Sequence, residues 1–177
     1  MNSKVVRDKI VYTGQICRVH SIGLEMDDGQ VVSRDLVEFA DAVVVVPVRP
    51  DGSVVLIRNE RFAVGEELLE LPAGKLDGDE QPETCAAREL AEETGYAASA
   101  LEKLSGFYSA PGAITEYLHV FAATGLTPGP QRLEAYERIA VEVVEPERVD
   151  EMIASGRLHD AKSIAAWTLW RLRKGRK

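Results

Sequence analysis

The chain is organised around residues 74–96, which read GKLDGDEQPETCAARELAEETGY. Pro82 suits the first turn of a helix, where its missing N–H costs no hydrogen bond, and Gly95 suits a left-handed C-terminal cap. The residues between them predict about three turns of helix. At about 100° per residue, acidic side chains fall on one arc and small or apolar ones on the adjoining arc. The acidic arc contains Glu89, Glu92 and Glu93, and the apolar arc contains Ala86, Ala87, Leu90 and Ala91.

The acidic arc predicts a cation site if the fold encloses it. On an open surface, like charges at helical spacing cost only a few tenths of a kcal/mol. Held about 4 Å apart in a partly enclosed site, each pair repels by roughly 4 kcal/mol at an effective dielectric of 20. A hard divalent cation offsets that repulsion, and carboxylate oxygens favour Mg²⁺. Most glutamate-rich helices are instead solvated amphipathic helices, so both interpretations stay open at this point.

The full spacing of the stretch resembles the signature of the Nudix hydrolase family, G-x5-E-x7-R-E-U-x-E-E-x-G-U, where U is an apolar residue. Every fixed position is met between Gly74 and Tyr96, with Leu90 and Tyr96 at the U positions. The resemblance implies an α/β fold, a Nudix α/β/α sandwich with a mixed sheet, in which the signature forms a loop–helix–loop. Glu80 and Arg88 are expected to brace that loop–helix–loop by charge pairing, and Arg88 is placed to hold Glu92 one turn later.

The bulk properties exclude several classes of function. A chain of 177 residues predicts one domain, or one domain with a small appendage. A net charge of −8 without a basic patch argues against a nucleic-acid polymer as partner. Cys17 and Cys85 have no metal or redox spacing and predict reduced thiols of a cytoplasmic protein. No apolar run approaches membrane-spanning length, so no membrane partner is expected.

The Nudix resemblance covers roughly residues 41–177, which are the expected main domain, and residues 1–40 are expected to form an N-terminal β segment. Strand-like sequence begins at Ile10, and Asp28-Gly29 predicts a hairpin that is too small to stand alone. The continuous apolar run Ala42–Val48 predicts a central strand covered on both faces. Val54–Ile57 predicts the next strand, with the chain leaving the sheet at Arg58.

The C-terminal part predicts a loop and two helices. Gly125–Arg132 contains two prolines and two glycines and predicts a mobile loop. The two helices are expected over Pro146–Ala154 and Asp160–Arg173. Trp167 and Trp170 are expected to pack against or flank the buried face of the second helix. That face is predicted from helical spacing to consist of Ile164, Ala165, Thr168, Leu169 and Leu172.

Outside the signature, the sequence is similar to the ADP-ribose pyrophosphatase branch of the family, which cleaves ADP-ribose to AMP and ribose 5-phosphate. Glu70–Gly74 matches the E-L-P-A-G that precedes the signature in that branch, and Pro111–Glu116 resembles its P-G-x-x-x-E loop. Asp160-Ala161-Lys162 resembles the motif that opens its last helix. Arg58–Arg61 reads RNER where the branch commonly reads RQYR, and residues 39–41 read FAD where it tends to have HPG. These departures leave the identity of the sugar or base open.

The resemblance also implies a set of metal ligands. Glu89 and Glu93 are expected to be the principal ligands of Mg²⁺, with Mn²⁺ as an alternative ion. The backbone carbonyl of Ala73 is expected to join them and Glu92 to support them. Gly74 is expected to allow close approach of the backbone to metal and phosphate.

The remaining site residues are expected on loops and strands around the signature. Glu116 is the candidate for orienting or deprotonating the attacking water, acting with Glu92 and Glu93 in the catalytic set; the alternative is an ordinary surface carboxylate. Arg61 and Gly112 are expected to bind substrate. Arg34 is expected to reach the nucleotide of a partner subunit, because the branch exchanges its N-terminal strands across a homodimer.

Three functions compete. The first is Mg²⁺-dependent hydrolysis of the pyrophosphate of ADP-ribose or related ADP-sugars, giving AMP and a sugar phosphate. The second is hydrolysis of another nucleoside diphosphate derivative, such as GDP-mannose, another sugar nucleotide or a dinucleotide. The third is a non-catalytic nucleotide-binding regulatory domain. Such domains often lose a metal-ligating glutamate, and none is lost here.

Overall fold

A computed structural model describes residues 4–175, which form an α/β fold with twelve strands and three helices. In chain order the elements are β1 (Lys4–Thr13), β2 (Arg18–Glu25), β3 (Val31–Glu38), β4 (Ala42–Pro47), β5 (Val54–Arg61), β6 (Glu66–Glu70), β7 (Ala73–Lys75), α1 (Pro82–Thr94), β8 (Tyr96–Ala97), β9 (Ala100–Tyr108), β10 (Tyr117–Thr124), β11 (Thr127–Pro128), β12 (Ile139–Val144), α2 (Pro146–Ala154) and α3 (Ala161–Lys174).

The described chain separates into two compact units. Among the described residues, the first contains 4–41 together with Phe107–Tyr117. The second contains Ala42–Gly106 and residues 118–175. The segment Phe107–Tyr117, which sequence reasoning placed in the main domain, therefore groups with the N-terminal strands.

The first unit is built on an antiparallel sheet in the order β1-β2-β3. The predicted hairpin is present: β2 and β3 pair from Arg18↔Glu38 to Glu25↔Val31, and Gly29 has a φ of 80°, which favours glycine. The expectation that strand structure begins at Ile10 is wrong, because β1 begins at Lys4 and pairs with β2 along its length. All ten residues of β1 are exposed, so no buried face marks this strand in the sequence.

The second unit is organised around β4, whose residues are all buried. β4 lies between β7 and β10 in a sheet of order β7-β4-β10-β9. It pairs parallel with β10 and antiparallel with β7, which confirms the predicted mixed sheet. The apolar run Ala42–Val48 therefore forms the central strand that its composition predicts.

Helix α1 packs on one face of this sheet. Val43 and Val45 of β4 share a buried cluster with Cys85, Ala86 and Leu90 of α1. Because successive strand side chains alternate between faces, the neighbouring valines of β4 point to the opposite face. Helix α3 also packs against β4, so the central strand is in contact with two of the three helices.

A second sheet has the order β12-β5-β6. The prediction that the chain leaves the sheet at Arg58 is wrong, since β5 continues to Arg61 and pairs with β6 up to Arg61↔Glu66. The polar end of β5 stays in the sheet because its arginines find carboxylates on neighbouring strands. Arg58 donates to Glu142 of β12 (2.5 Å), and Arg61 donates to Glu70 of β6 (2.7 Å).

The predicted buried face of α3 is also wrong. The buried residues are Ser163, Ala166, Trp167 and Trp170, while Leu172 is 61% exposed. The tryptophan rings stack with centroids 4.8 Å apart, and the Trp167 indole N–H donates to Asp150 (2.6 Å). Large rings whose N–H has a partner bury more apolar area than the leucines, and this sets the rotation of the helix.

Within residues 4–175, no helix combines the length and the apolar character needed to cross a bilayer.

Candidate active site

Helix α1 and the loop before it place the signature residues. The helix begins at Pro82, after Gln81 as N-cap, and ends at Gly95 in the left-handed conformation with a φ of 75°. The Gly95 N–H donates to the Ala91 carbonyl (3.0 Å), as the sequence predicts. A Cβ atom at Gly95 would overlap the Gly129 carbonyl, so the segment after β11 lies directly against this helix end.

Arg88 is the main cation of the acidic arc. Its guanidinium donates to Glu80 (2.9 and 3.1 Å), to Glu89 (2.7 Å) and to Glu92 (3.1 Å). It also donates to the Lys75 carbonyl (3.1 Å), which ties the helix to β7. The predicted bracing by Glu80 and Arg88 is confirmed. Hydrogen bonds from Arg88 lower the pKa of Glu80 to about 2.

Glu89 lies against the backbone of Gly74. A Cβ atom at Gly74 would overlap the Glu89 carboxylate, so glycine is the residue that leaves room for it. The Glu89 side chain is 13% exposed. Burial raises the pKa of Glu89, and the neighbouring Arg88 opposes that rise. This carboxylate is therefore enclosed rather than spread over an open helix face, which favours the cation interpretation over the solvated-helix interpretation.

Glu93 is the most enclosed acidic residue of the arc, with only 3% of its surface exposed. One of its carboxylate oxygens accepts a hydrogen bond from the Ala73 N–H (2.8 Å). Burial raises the pKa of Glu93 to about 8, and the charges of Glu89 and Glu137 add to the rise. The structure thus brings Ala73 and Glu93 together through the amide of Ala73, and the ligand role of its carbonyl stays a prediction.

Sequence reasoning missed Glu137. Its charge contributes to the raised pKa of both Glu89 and Glu93, so this carboxylate lies within electrostatic reach of the acidic pair. It belongs to the segment between β11 and β12, and that segment is attached to the end of α1. Gln131 donates to the Glu93 carbonyl (2.5 Å), and the Arg132 N–H donates to the Glu92 carbonyl (3.0 Å). The sequence offered only two glutamates, Glu134 and Glu137, beside a loop rich in glycine and proline.

Arg61, a predicted substrate contact, lies at the end of β5. Its Nε and Nη2 groups donate to the two oxygens of Glu70 (2.7 Å each). The hydrogen bonds with Glu70 raise the pKa of Arg61. The positive charge of Arg61 also acts on Glu93, where it lowers the carboxyl pKa against the effect of burial. The cation is therefore a neighbour of the acidic pair within the second unit.

The other predicted site residues lie in the first unit. Arg34 is exposed on β3 and donates to its neighbouring Ser33 carbonyl (2.9 Å). Gly112 is exposed in the turn that precedes β10, with open space around it. The Glu116 carbonyl accepts a hydrogen bond from the Ser109 N–H (3.2 Å). Their predicted roles in binding and catalysis stay predictions.

The donor set fits a hard cation by its chemistry. Glu89 and Glu93 are carboxylates whose burial disfavours their negative charge, and a divalent cation among their oxygens offsets that cost. In residues 4–175, no three acidic, histidine or cysteine side chains converge as a ready ligand set. The carboxylates of the acidic arc accept hydrogen bonds from protein donors. Arg88 donates to Glu89 and Glu92, and the Ala73 N–H donates to Glu93.

The chain is similar to several known proteins. An ADP-ribose pyrophosphatase of Bacillus subtilis (strain 168) is 33% identical over 168 residues, covering 94% of this chain and 91% of the relative. A GDP-mannose pyrophosphatase of Shigella flexneri serotype 5b (strain 8401) is 34% identical over 176 residues, covering 90% of each. The crystal structure of an ADP compounds hydrolase superposes with a TM-score of 0.88 at 22% identity, covering 99% of this chain and 96% of that one.

The last similarity establishes the fold, and the family follows from the sequence. The NUDIX domain profile matches residues 38–167, which contain the signature, the acidic pair and Arg61. With the full signature present and its carboxylates enclosed against Gly74 and Ala73, the chain belongs to the NUDIX domain family and is a Nudix hydrolase.

Proposed function

We propose that this Nudix hydrolase cleaves the pyrophosphate of ADP-ribose or of related ADP-sugars, giving AMP and a sugar phosphate, with Mg²⁺ as its cofactor. The observation that carries the proposal is the enclosed pair Glu89 and Glu93, with the Arg61 cation acting on Glu93 from β5. The ADP-ribose pyrophosphatase named among the relatives supports the choice of substrate. The ELPAG lead-in at Glu70–Gly74 supports the same branch.

The chain's own residues divide the work of pyrophosphate cleavage. A pyrophosphate resists hydrolysis because its negative oxygens repel a nucleophile. Mg²⁺, when bound, supplies charge neutralisation and polarises a phosphoryl oxygen. Glu89, Glu93 and the Ala73 carbonyl would hold it, with Glu92 in support. Arg61 would bind a phosphate oxygen through its free guanidinium edge.

Two glutamates are candidates for activating the attacking water. Glu116 is the candidate from the P-G-x-x-x-E resemblance, and Gly112 of the same loop is proposed to bind substrate. Glu137 is the candidate from electrostatics, because its charge acts on both Glu89 and Glu93. A water-activating carboxylate has to lie within reach of the cation-bound phosphate, and this requirement favours testing both.

The second candidate function is hydrolysis of GDP-mannose. It is supported by the GDP-mannose pyrophosphatase among the relatives, whose identity to this chain equals that of the ADP-ribose enzyme to within one per cent. The departures RNER and FAD from the ADP-ribose pyrophosphatase branch, at residues 58–61 and 39–41, leave the identity of the sugar or base open. A binding-only regulatory domain is disfavoured because all the signature glutamates are present.

The proposed assembly is a homodimer in the cytoplasm. The exposed apolar side chains of β1, among them Val5, Val11 and Tyr12, support a partner surface on the first unit. The two free cysteines, Cys17 and Cys85, support a reducing compartment. Arg34 is proposed to contact the nucleotide of the neighbouring subunit.

A panel of nucleoside diphosphate derivatives tests the proposal. The purified chain is incubated with Mg²⁺ and ADP-ribose, other ADP-sugars, GDP-mannose or a dinucleotide, and the products are separated by chromatography. ADP-ribose is expected to give the highest kcat/KM, with AMP and ribose 5-phosphate as products. Glu93→Gln, which removes one preorganised charge, is expected to lower kcat by about 10²–10³-fold. Glu83→Gln, on the exposed first turn of the same helix, is the matched control and should retain full activity.

A higher kcat/KM for GDP-mannose would assign the second function. Binding without turnover by the wild-type chain would assign a regulatory domain. Activity that survives Glu93→Gln unchanged would show that the acidic pair is not the reaction centre.

A further inference from the structure

We propose that Glu70 is a positioning residue that fixes the Arg61 guanidinium for phosphate binding, and that Lys162 holds the Glu70 carboxylate in place. The inference rests on the proposed function, in which Arg61 binds a phosphate of the substrate. It adds two residues to the site that touch no substrate themselves. Glu70 is 1% exposed at its side chain, whereas the side chain of Arg61 is 39% exposed. The buried carboxylate thus holds a cation that stays open to solvent.

The contact between Glu70 and Arg61 fixes the plane of the guanidinium. Nε and Nη2 donate to separate oxygens of the carboxylate at 2.7 Å each, a bidentate fork that restricts rotation about the side chain. The third nitrogen, Nη1, makes no hydrogen bond to protein among residues 4–175. Its two N–H groups are therefore the donors presented to a ligand oxygen. A lysine at this position would offer a point charge without this direction.

Lys162 holds the same carboxylate through Oε2, the oxygen that also accepts from Nη2 of Arg61. Its Nζ donates to Glu70 (2.5 Å) and lies 3.0 Å from a carboxylate oxygen of Asp160. Asp160 is the N-cap of α3 and accepts from the Ser163 N–H (3.0 Å). The start of α3 is thereby tied to the end of β6, and Glu70 cannot turn away from Arg61 without breaking this second ion pair.

The backbone after Glu70 links the Glu70–Arg61 ion pair to the acidic pair, Glu89 and Glu93. The Leu71 N–H donates to the Ser163 hydroxyl (2.8 Å), and the Pro72 carbonyl accepts from the Val45 N–H (2.9 Å). The Ala73 N–H then donates to Glu93 (2.8 Å). Each of the four consecutive residues 70–73 therefore makes a hydrogen bond to another element. The first binds Arg61 through its carboxylate, and the last binds Glu93 through its backbone amide. This chain of contacts sets the separation between the phosphate-binding cation and the candidate metal ligands.

A purely structural role accounts poorly for the arrangement. Burying a carboxylate with two cations costs desolvation that a packed apolar cluster avoids, so such networks are weak devices for stability alone. The second unit also contains a more exposed carboxylate beside two arginines, and this group serves as the control. Glu142 accepts from Arg58 of β5 (2.5 Å) and lies 3.8 Å from Arg157. Arg58 and Arg61 are three residues apart on one strand and therefore point to opposite faces.

The first measurement needs no substrate. The Nε–H of Arg61 is observed by nitrogen-edited NMR of the full chain and identified by its loss in Arg61→Lys. In the wild type, a guanidinium locked by two hydrogen bonds is expected to give a resonance protected from solvent exchange. Glu70→Gln and Lys162→Gln are each expected to increase its exchange rate, and Glu142→Gln to leave it unchanged. An unchanged exchange rate in Glu70→Gln would overturn the proposal.

The second measurement separates positioning from general stability. Loss of hydrogen bonds to a charged group predicts that Glu70→Gln raises KM about tenfold to a hundredfold, with kcat within about threefold. Arg61→Ala is expected to raise KM at least as much. The double variant is expected to be no worse than Arg61→Ala alone, because Glu70 acts through Arg61. If the two effects on KM multiply, Glu70 does not act through Arg61 and the proposal fails.

The two measurements also distinguish this proposal from the proposed function. If the wild-type chain hydrolyses none of the panel substrates, the proposed function fails, while the exchange rate of the Arg61 Nε–H still reports whether Glu70 positions the guanidinium. If Glu70→Gln does not fold, both measurements are made on Lys162→Gln. This substitution removes one hydrogen-bond partner of Glu70 and leaves residue 61 as arginine. A Lys162→Gln chain with wild-type exchange and wild-type KM would then overturn the proposal.

Discussion

At the residue scale, the pKa values of two signature glutamates are shifted in opposite directions. Arg88 donates two hydrogen bonds to Glu80 and lowers its pKa to about 2. Burial raises the pKa of Glu93 to about 8, although one backbone amide stabilises its charge. The first carboxylate is thus a structural anion that holds the loop to the helix. The second is a costly anion that a cation would stabilise, and this contrast separates bracing residues from candidate ligands.

Gly74→Ala is expected to impair the cation site while preserving the fold. The backbone of Gly74 does not need a positive φ, but a Cβ atom there would overlap the carboxylate of Glu89. The end of a flexible side chain moves aside at little cost, so the melting temperature should fall by only a few degrees, equivalent to about 1 kcal/mol or less. The Mg²⁺ concentration needed for half-maximal activity should rise at least tenfold. Unchanged Mg²⁺ dependence would show that the position of Glu89 does not matter for metal binding.

The water-activating residue is expected to be revealed by comparing Glu116→Gln with Glu137→Gln. A group that acts chiefly in the transition state lowers kcat more than it raises KM, by about 10²–10⁴-fold for a general base. One of the two variants is expected to show that pattern in steady-state kinetics, and Glu134→Gln in the same segment serves as the control. An effect on KM alone would make the residue a binding residue.

At the element scale, α1 depends on a glycine that serves two purposes. Gly95 has a left-handed backbone, and the space where a Cβ atom would lie is taken by the Gly129 carbonyl. Gly156, at the turn after α2, has a similar φ of 74° but open space around it. Gly156→Ala should therefore cost about 1–2 kcal/mol of unfolding free energy, from backbone strain alone.

Gly95→Ala is expected to cost more than Gly156→Ala, because the new Cβ also displaces the segment that carries Glu137. Urea unfolding of the two variants measures the difference. Equal losses would show that the packing of this segment on α1 adds nothing to stability.

The three strands of the first unit are joined by a histidine held between two carboxylates. His20 of β2 contacts Asp8 of β1 (2.7 Å) and Glu38 of β3 (2.9 Å). Its hydrogen bonds with Asp8, and then with Glu38, raise the pKa of His20 above 6.5. The protonated ring therefore stabilises the sheet fully below the unfolded pKa of 6.5, and this stabilisation is lost as the pH rises through the higher folded pKa.

His20→Gln should accordingly destabilise the protein more at pH values below 6.5 than well above the folded pKa. Chemical denaturation at both pH values measures this difference. An NMR titration of His20 should show a lower pKa in Asp8→Asn than in the wild type. A stability loss that does not change with pH would mean that His20 packs as a neutral ring.

At the scale of the whole molecule, the exposure of strand β1 supports the proposed homodimer. All ten of its residues are exposed, and Val5, Val11 and Tyr12 each leave more than half of their surface in solvent. A long exposed strand with apolar side chains is a ready template for another chain, and a self-complementary homodimer is the commonest solution. We expect a dimer in light scattering at working concentrations, and a monomer would contradict the cross-subunit role of Arg34.

Mixed dimers test that role more sharply. Subunits carrying Arg34→Ala are combined with subunits carrying Glu93→Gln, each nearly inactive by itself. If Arg34 serves the neighbouring site, the heterodimer has one site with both changes and one with neither, and activity should reappear. No recovery from verified heterodimers would place Arg34 in the site of its own subunit or outside both.

The features that depend on neighbouring residues were predictable from local sequence. Pro82 and Gly95 bound α1 because proline tolerates a helix start and glycine tolerates the left-handed cap, whatever surrounds them. The apolar run Ala42–Val48 became the buried central strand β4, and Asp28-Gly29 became the predicted turn. The signature spacing placed Glu89, Glu92 and Glu93 on one helix and Arg88 beside them.

The contacts between distant parts of the chain were not predictable from local sequence. β5 continues to Arg61 because carboxylates of other strands accept hydrogen bonds from its arginines. α3 buries Trp167 and Trp170 because Asp150 of α2 accepts a hydrogen bond from the Trp167 N–H. Glu137 approaches the acidic pair because its segment is attached to the end of α1. These outcomes depend on partners distant in the chain, and local periodicity carries no information about them.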